Sequence, residues 1–361
     1  MNELAQLTHG ALNCVRFGNV KAGEHVLVLA EPGADDAVIE AISIAAKGAG
    51  GVVSVLVKEP TPIGVPLAPP VAAAIQAADL VYDLGFPTVH SEAGFLAAFD
   101  HGTRNLIVRP EAGVLASEAA RFPLEIFFLL GKRTQARIRK QPSVHVVDDK
   151  GTDFHIEAVP GAVGPYIGPL PYEPGPAVPG YIGTFPPGTT VWGDLNYSAN
   201  GTLVLDAAFS FEAPGESIVW KVKDGWIVEI DGGREASAIR EAIHGRPNAN
   251  RFAECGFGLN PKVSLAPGTA QSVAARVSTV LSWTRRAGTF FVGMGGNTLM
   301  GGRDASTVVP IYGVLKRPTV AAGAEVLIDA GRLTMLDMPD DELVSLSNKA
   351  GGKEWLEPMN R

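Results

Sequence analysis

Four short runs, HVLVLA at 25–30, VVSVLV at 52–57, LVYDL at 80–84 and NLIV at 105–108, leave this chain few ways to fold, because they are apolar almost from end to end. A strand with one wet face alternates polar and apolar residues, whereas unbroken apolar runs belong to strands covered on both faces. Segments of helical length separate the runs, over 37–47, 71–78 and 91–99. Residues 1–20 carry Leu4, Leu7, Ala11, Leu12 and Val15 at helical spacing. Strand and helix in repeated alternation predict a parallel sheet with helices on both faces. Leu124–Lys140 reads as a longer helix whose basic end, KRTQARIRK, complements the dipole at its C-terminus.

The N-terminal part is therefore read as a Rossmann-like α/β domain over 1–142. The first strand runs into EPGADD rather than a GxGxxG turn, and carboxylates there would repel a pyrophosphate. Asp35 and Asp36 are better placed as N-cap residues of the next helix. After Ser143 the pattern changes, and 143–361 is read as a second, β-rich domain. HVVDDKGTDFHIEAV predicts a hairpin turning at Asp149–Gly151, and Asn200–Gly201 and Asp224–Gly225 are further hairpin signals. Helices are expected over 237–244 and 268–283, then a closing turn and strand over 320–333, and a polar tail that frays. Residues 159–190 are rich in Pro and Gly, with Tyr166, Tyr172, Tyr181 and Phe185 among them. This predicts an extended loop, packed on its own domain or serving as an aromatic rim for a ligand.

Charge and composition remove several classes of function. A formal net charge of −8 speaks against a nucleic-acid or anionic-membrane surface. No apolar run approaches the length of a membrane span. The N-terminus, MNELAQLTHGALNCVRFG, lacks a basic segment followed by an apolar one, so a cytoplasmic location is expected. Cys14 and Cys255 make no CxxC and no disulfide framework, and are expected as reduced thiols. A nucleophilic Cys255 would need a base such as His155 or His244 beside it. The glycine run GMGGNTLMGG lacks the GK[ST] ending of a phosphate loop.

The chemistry is expected between Ala253 and Thr319, in AECGFGLNP, FFVGMGGN and VVPIYGVLKRPT, where glycines break short apolar runs and let backbone pass close to backbone or ligand. These segments, together with KAGEHVLVLA, GAGGVVSVLV, GTDF and SANGTLVLD, resemble the superfamily of aminopeptidase T metallopeptidases and 2,5-dihydroxypyridine dioxygenases. In that superfamily a Glu or His precedes the first glycine-rich segment, a His opens the second and a His-x-Asp pair opens the third. Here Glu254 stands at the first position, Phe291 at the second, and Pro310 and Tyr312 at the third; no histidine follows His244. A Gly-Glu pair before SANGTLVLD has its counterpart in Gly193–Asp194.

Catalytic divalent metals need about three protein ligands of suitable type, and Glu254 alone does not supply them. The resemblance therefore implies a metal-free, cofactor-free and catalytically degenerate protein. Its inherited cleft would bind a peptide or small ligand through Glu254, Phe291, Pro310, Tyr312, Asn297 and Asp194. It would serve as a homodimeric accessory protein that presents a precursor peptide to modifying enzymes of peptide natural-product biosynthesis. Glu254 would accept from a ligand's amine, amide or guanidinium, or else brace the strand ends. The alternative is a metal-dependent aminopeptidase or ring-opening dioxygenase with reassigned ligands.

Overall fold

The computed structural model describes residues 3–61, 65–85, 98, 101–141, 143–157, 182–194, 196–267, 273–296, 304, 306 and 310–359. The chain separates into two compact units, Met1–Leu124 with Pro169–Pro187, and Glu125–Gly168 with Gly188–Arg361.

In the first unit, α1 (Glu3–Gly18) leads into β1 (His25–Ala30), α2 (Asp36–Gly48), β2 (Val52–Val57), α3 (Pro69–Gln76), β3 (Leu80–Asp83) and β4 (Arg104–Val108). The strands are parallel in the order β2-β1-β3-β4, the Rossmann-like sheet that the apolar runs predict. Val26 to Ala30 of β1 are all buried, with Val38, Ile42 and Ala46 of α2 and Val71 and Ile75 of α3 in the same core class. Asp35 caps α2 by accepting from the Ala37 amide at 3.0 Å, while Asp36 already lies in the first turn. The buried Asn13 amide donates to the carbonyls of Ala120 and Phe122 and ties α1 to the following chain. The edge strand β2 departs from expectation: Val52, Val55 and Val57 are about half exposed, at 52%, 50% and 57%. The predicted helix over 91–99 lies outside the described residues except for Ala98.

A fifth parallel strand, β7 (Ile182–Phe185), comes from the stretch read as an extended loop and pairs with β4. A four-residue strand between Pro and Gly clusters is too short for its periodicity to register. Residues 159–181 of that stretch, with Tyr166, Tyr172 and Tyr181, lie outside the described residues.

The second unit begins with α4 (Leu124–Lys140), as predicted, and is built on two antiparallel sheets. The larger contains β5 (Ser143–Val147), β6 (Asp153–Glu157), β9 (Asn200–Leu205), β11 (Ile218–Lys223), β12 (Trp226–Asp231), β16 (Thr319–Ala322), β17 (Glu325–Asp329) and β18 (Arg332–Leu333). Its order is β12-β11-β9-β6-β5-β16-β17-β18. The smaller contains β8 (Thr189–Gly193), β10 (Ala207–Ala208), β13 (Phe252–Gly258), β14 (Phe290–Met294) and β15 (Ile311–Leu315), in the order β10-β15-β14-β13-β8. Phe154 of β6 meets Phe252 and Phe290 at ring distances of 5.1 and 6.5 Å, so the sheets pack face to face. The other face of the smaller sheet is covered by α6 (Val273–Trp283), whose Val280 and Trp283 join Val191, Ala207, Phe291 and Val314. Between them in sequence, α5 (Arg234–Ile243) follows β12.

Of the two further hairpin signals in this unit, one holds and one changes. Asp224–Gly225 is a hairpin turn between β11 and β12, with φ of 48° and 74°. Asn200–Gly201 instead opens β9; Gly201 has φ of 124°, and a Cβ there would strike the Asp153 carbonyl. That glycine answers a close strand approach rather than a turn. In the C-terminal tail α7 (Asp341–Lys349) is capped by Asp340, which accepts from Leu343, and residues 360 and 361, where fraying is expected, lie outside the described residues. Leu343 and Leu356 are buried, and Arg133 of α4 reaches Asp340 at 2.8 Å and Glu342 at 2.6 Å. No helix among the described residues is long and apolar enough to cross a membrane.

Candidate functional site

The glycine-rich segments do converge, as β13, β14 and β15. Register places Glu254 between Gly193 of β8 and Gly293 of β14, and Gly293 opposite Tyr312 of β15. These glycines make the space that the carboxylate fills: a Cβ on Gly293 would lie 2.7 Å from the Glu254 Cγ. The Tyr312 hydroxyl donates to Glu254 Oε1, and its ring lies 6.1 Å from that of Phe291. Glu254 is 5% exposed, and burial raises its pKa while the Tyr312 hydrogen bond opposes the rise. Burial, reinforced by the Glu254 charge, also pushes the Tyr312 phenol well up. Phe291 belongs to the core under α6. Pro310 is half-buried just ahead of β15, and Asn297 lies outside the described residues.

Asp194, at the end of β8, is drawn into a different cluster. It accepts from the amide and hydroxyl of Ser198, at 2.8 and 3.0 Å, and from Arg251 at 3.1 Å. Arg251 is wholly buried and also donates to Asp304 at 2.9 Å and to the carbonyls of Asp194, Gly225 and Phe252. Its guanidinium stacks over Tyr197 at 4.1 Å, and Tyr197 in turn donates to Asp304. A guanidinium with this many acceptors is a closed structural node. Of the six residues proposed from sequence, Glu254, Tyr312 and Phe291 thus adjoin one another and Asp194 is engaged separately, while Pro310 stands ahead of β15 and Asn297 lies outside the described residues.

At Glu254 the surroundings do not suit a catalytic metal. Among the described residues, one carboxylate tied to a phenol and flanked by Phe291 and glycines offers too few ligands. Cys255 on the next residue is a buried free thiol whose pKa burial raises well above its usual value. It faces the larger sheet, whereas His155, offered as its base, points from the opposite side of β6 to Phe154.

The outer face of the β5–β6 hairpin carries the ligand set that the glycine segments lack. His145 and His155 are directly opposed across the strands, and Asp153 lies two residues before His155 on the same face. The imidazoles stack at 4.0 Å with planes 11° apart. Asp153 Oδ1 lies 2.9 Å from His145 Nε2 and 3.3 Å from His155 Nε2. Its carboxyl is held below the usual range, chiefly by the His145 hydrogen bond. One ligand atom from each residue lies within 4.8 Å of the others, so a single ion can be reached by all three. Two imidazoles and a carboxylate form the donor set of non-haem iron oxygenases, and the donor chemistry therefore fits such an ion. Sequence reasoning named His155 only as a base and passed over His145 and Asp153. The signal was the hairpin itself, since a turn at 149–151 sets 145 against 155.

The sequence model of the NicX family, 2,5-dihydroxypyridine 5,6-dioxygenase, matches residues 6–335. Among solved structures, the 2,5-dihydroxypyridine dioxygenase of Pseudomonas putida KT2440 is similar with a TM-score of 0.74 and 22% identity, over 95% of this chain and 99% of that one. Wild-type AmpT of Thermus thermophilus is similar with a TM-score of 0.64 and 15% identity, over 91% of this chain and 99% of that one. No curated protein matches the chain. The nearly full-length dioxygenase match and the His145–Asp153–His155 set overturn the expectation of a catalytically degenerate peptide-binding pseudoenzyme in natural-product biosynthesis. That expectation considered only the ligand positions near Glu254, Phe291, Pro310 and Tyr312, while two histidines and an aspartate come together on another sheet. The chain belongs to the NicX family of 2,5-dihydroxypyridine 5,6-dioxygenases.

Proposed function

We propose that this chain is a metal-dependent ring-opening dioxygenase with reassigned ligands, its divalent ion held by His145, Asp153 and His155. The observation that carries the reading is that two imidazoles and one carboxylate converge within 4.8 Å in a chain of this family. A ferrous ion, when bound, supplies the redox chemistry with dioxygen that ring opening requires. The protein's own share is preorganisation. The β5–β6 ladder fixes the spacing of the two histidines, and Asp153, kept charged by its neighbour, supplies the anionic ligand. His145, Asp153 and His155 would hold the ion in place of the hydrogen bonds they now make to one another. The three side chains stand on one partly exposed strand face, where a small electron-rich ring such as a dihydroxypyridine could approach an ion that they held.

Metal analysis of protein purified without chelator, combined with dioxygen uptake on 2,5-dihydroxypyridine, tests this. One equivalent of iron and substrate-dependent uptake are expected, both lost in His145→Ala and Asp153→Asn. Iron retained in full by those variants would refute the assignment.

A further inference from the structure

We propose that the cleft between β12 and the C-terminal end of α5 is a binding site for a small carboxylate with an apolar body. The cleft lies within the second unit, and the inference stands apart from the metal assignment.

The edge strand makes the cleft. Among the described residues β12 ends the larger sheet, and its register against β11 slips by one residue, with Lys221 opposite Glu229 and Val222 opposite Ile227. Val228 is thus the extra residue of a β-bulge, a device that bends an edge and re-aims a side chain, and it stands 61% exposed. The outward backbone here is already engaged. The Ile227 amide donates to the Asn250 carbonyl at 2.9 Å, the Asn250 side chain donates to the Ile227 carbonyl at 3.0 Å, and Arg240 donates to the Ile230 carbonyl. The edge is therefore blunted rather than offered to another strand. Between it and the chain over 243–250 lies an open cleft of about 630 Å³, a size common for small-molecule sites.

The lining has an apolar part, with Val228, Ile243 and Pro247, and a basic part, with Arg240, His244 and Arg246. Arg240 spends its donors on neutral groups, the Ile230 carbonyl and the Ser237 hydroxyl. No carboxylate among the described residues pairs with Arg240 or Arg246. Glu229, the acid of the lining, is held by Lys221 at 2.9 Å. With 38 acidic residues against 30 basic ones, the chain as a whole has the opposite sign. The C-terminal dipole of α5 answers only part of this positive charge, since a helix end carries about half a unit. Most of two guanidinium charges is left for a ligand.

The ligand class follows from the two parts together. A guanidinium fork matches a carboxylate through two parallel hydrogen bonds, and the His244 imidazole adds a further polar contact. An inorganic anion would leave Val228, Ile243 and Pro247 uncovered, whereas a ring or short hydrocarbon chain would take their apolar surface out of water. Across the sheet, Glu229 faces Lys221, Lys221 faces Thr202 and Thr202 faces Asp153. Three strand spacings, roughly 14 Å, separate the cleft from Asp153, so a small ligand here does not reach an ion held there.

Calorimetric titration of the full chain with benzoate tests the site. Benzamide serves as the uncharged analogue, and acetate and inorganic phosphate as anions without a ring. Benzoate should saturate with a Kd of about 1 mM or tighter, and the other three should each bind roughly tenfold more weakly or worse. Arg246→Gln should raise the benzoate Kd roughly tenfold or more through loss of a charge-assisted pair. His145→Ala should leave that Kd unchanged. Absence of saturation, equal binding of benzoate and benzamide, or an unaltered Kd in Arg246→Gln would each overturn the proposal. So would acetate or phosphate binding as tightly as benzoate, which would reduce the cleft to an unspecific anion patch. Loss of benzoate binding in His145→Ala would overturn it by moving the carboxylate to the metal cluster. Arg246 is exposed, and a melting curve checks that Arg246→Gln is folded. If it is not, Arg240→Lys, which keeps the charge and loses the fork, decides by the same tenfold criterion.

Discussion

Glu254 and Asp153 are both strand carboxylates of the second unit, and their surroundings treat them in opposite ways. Glu254 is enclosed: glycines on either side admit it, one phenol meets it, and burial raises its pKa. Asp153 stands on an outer face, 70% exposed, with two imidazoles alongside that draw its pKa down. Water is the difference. Without it a carboxylate becomes a proton-holding group fixed to a single donor, and with it the lone pairs remain exchangeable for a cation. Position in a family pattern therefore identifies a ligand only when the neighbouring side chains leave its oxygens available.

The buried side of this comparison should respond most strongly to mutation. Arg251→Met takes the guanidinium away from the Asp194 carboxylate, with both side chains inaccessible in the native protein. Loss of about 3–5 kcal/mol is expected in urea unfolding. A loss below about 1 kcal/mol would mean that the node around Arg251 is not the closed unit described here.

Tyr312→Phe comes next, because it strips Glu254 of the phenol that donates to it. Stability should fall by about 1–3 kcal/mol, the cost of a buried acceptor left unsatisfied. Adding Glu254→Met should recover most of that loss, since removing both partners leaves nothing to satisfy. Additive losses in the double variant would show that each residue acts through other contacts.

The pH dependence of stability sharpens the contrast through its sign. Burial raises the folded pKa of Glu254 above the ordinary value of 4.5, so the folded state holds the extra proton over the interval above 4.5. Stability contributed by this group is full below that value and declines as pH rises through the folded pKa. Asp153 does the reverse: its folded pKa is depressed, and its contribution is lost as pH falls. Glu254→Gln should flatten the decline on the alkaline side of 4.5, read from melting midpoints across pH. An unchanged slope would show that burial does not set the protonation of Glu254.

Much of the fold was legible because periodicity and turn chemistry are local. The runs at 25–30 and 52–57 became β1 and β2 without adjustment, Leu124–Lys140 became α4, and Asp224–Gly225 made its turn. Elements fixed by distant partners were harder to see. Ile182–Phe185 is a strand only because β4 offers a parallel edge, and Gly201 is needed only because Asp153 passes close by. The site was misread for a similar reason. Phe291 and Tyr312 do gather around Glu254, but which side chains are buried is decided by α6 and the second sheet. His145 and His155 were within reach of hairpin arithmetic, yet no glycine-rich segment drew notice to them.

The smallest expected effect on stability is also the one that separates the two carboxylates most clearly. His145→Ala removes a half-exposed ring from an outer strand face, where no core packing depends on it. Its melting midpoint should move by no more than about 1–2 °C, as for surface substitutions generally. The same change deletes one of three converging ligands, and metal titration should register it as a loss of roughly tenfold or more in affinity for ferrous ion or zinc. Glu254→Gln should do the opposite, altering the pH profile of stability and leaving metal affinity alone. If His145→Ala and Glu254→Gln both left metal binding intact, neither carboxylate neighbourhood would be the metal centre. If Glu254→Gln alone abolished it, the buried pair would be the ligand site after all, with Asp153 and its histidines only a surface cluster.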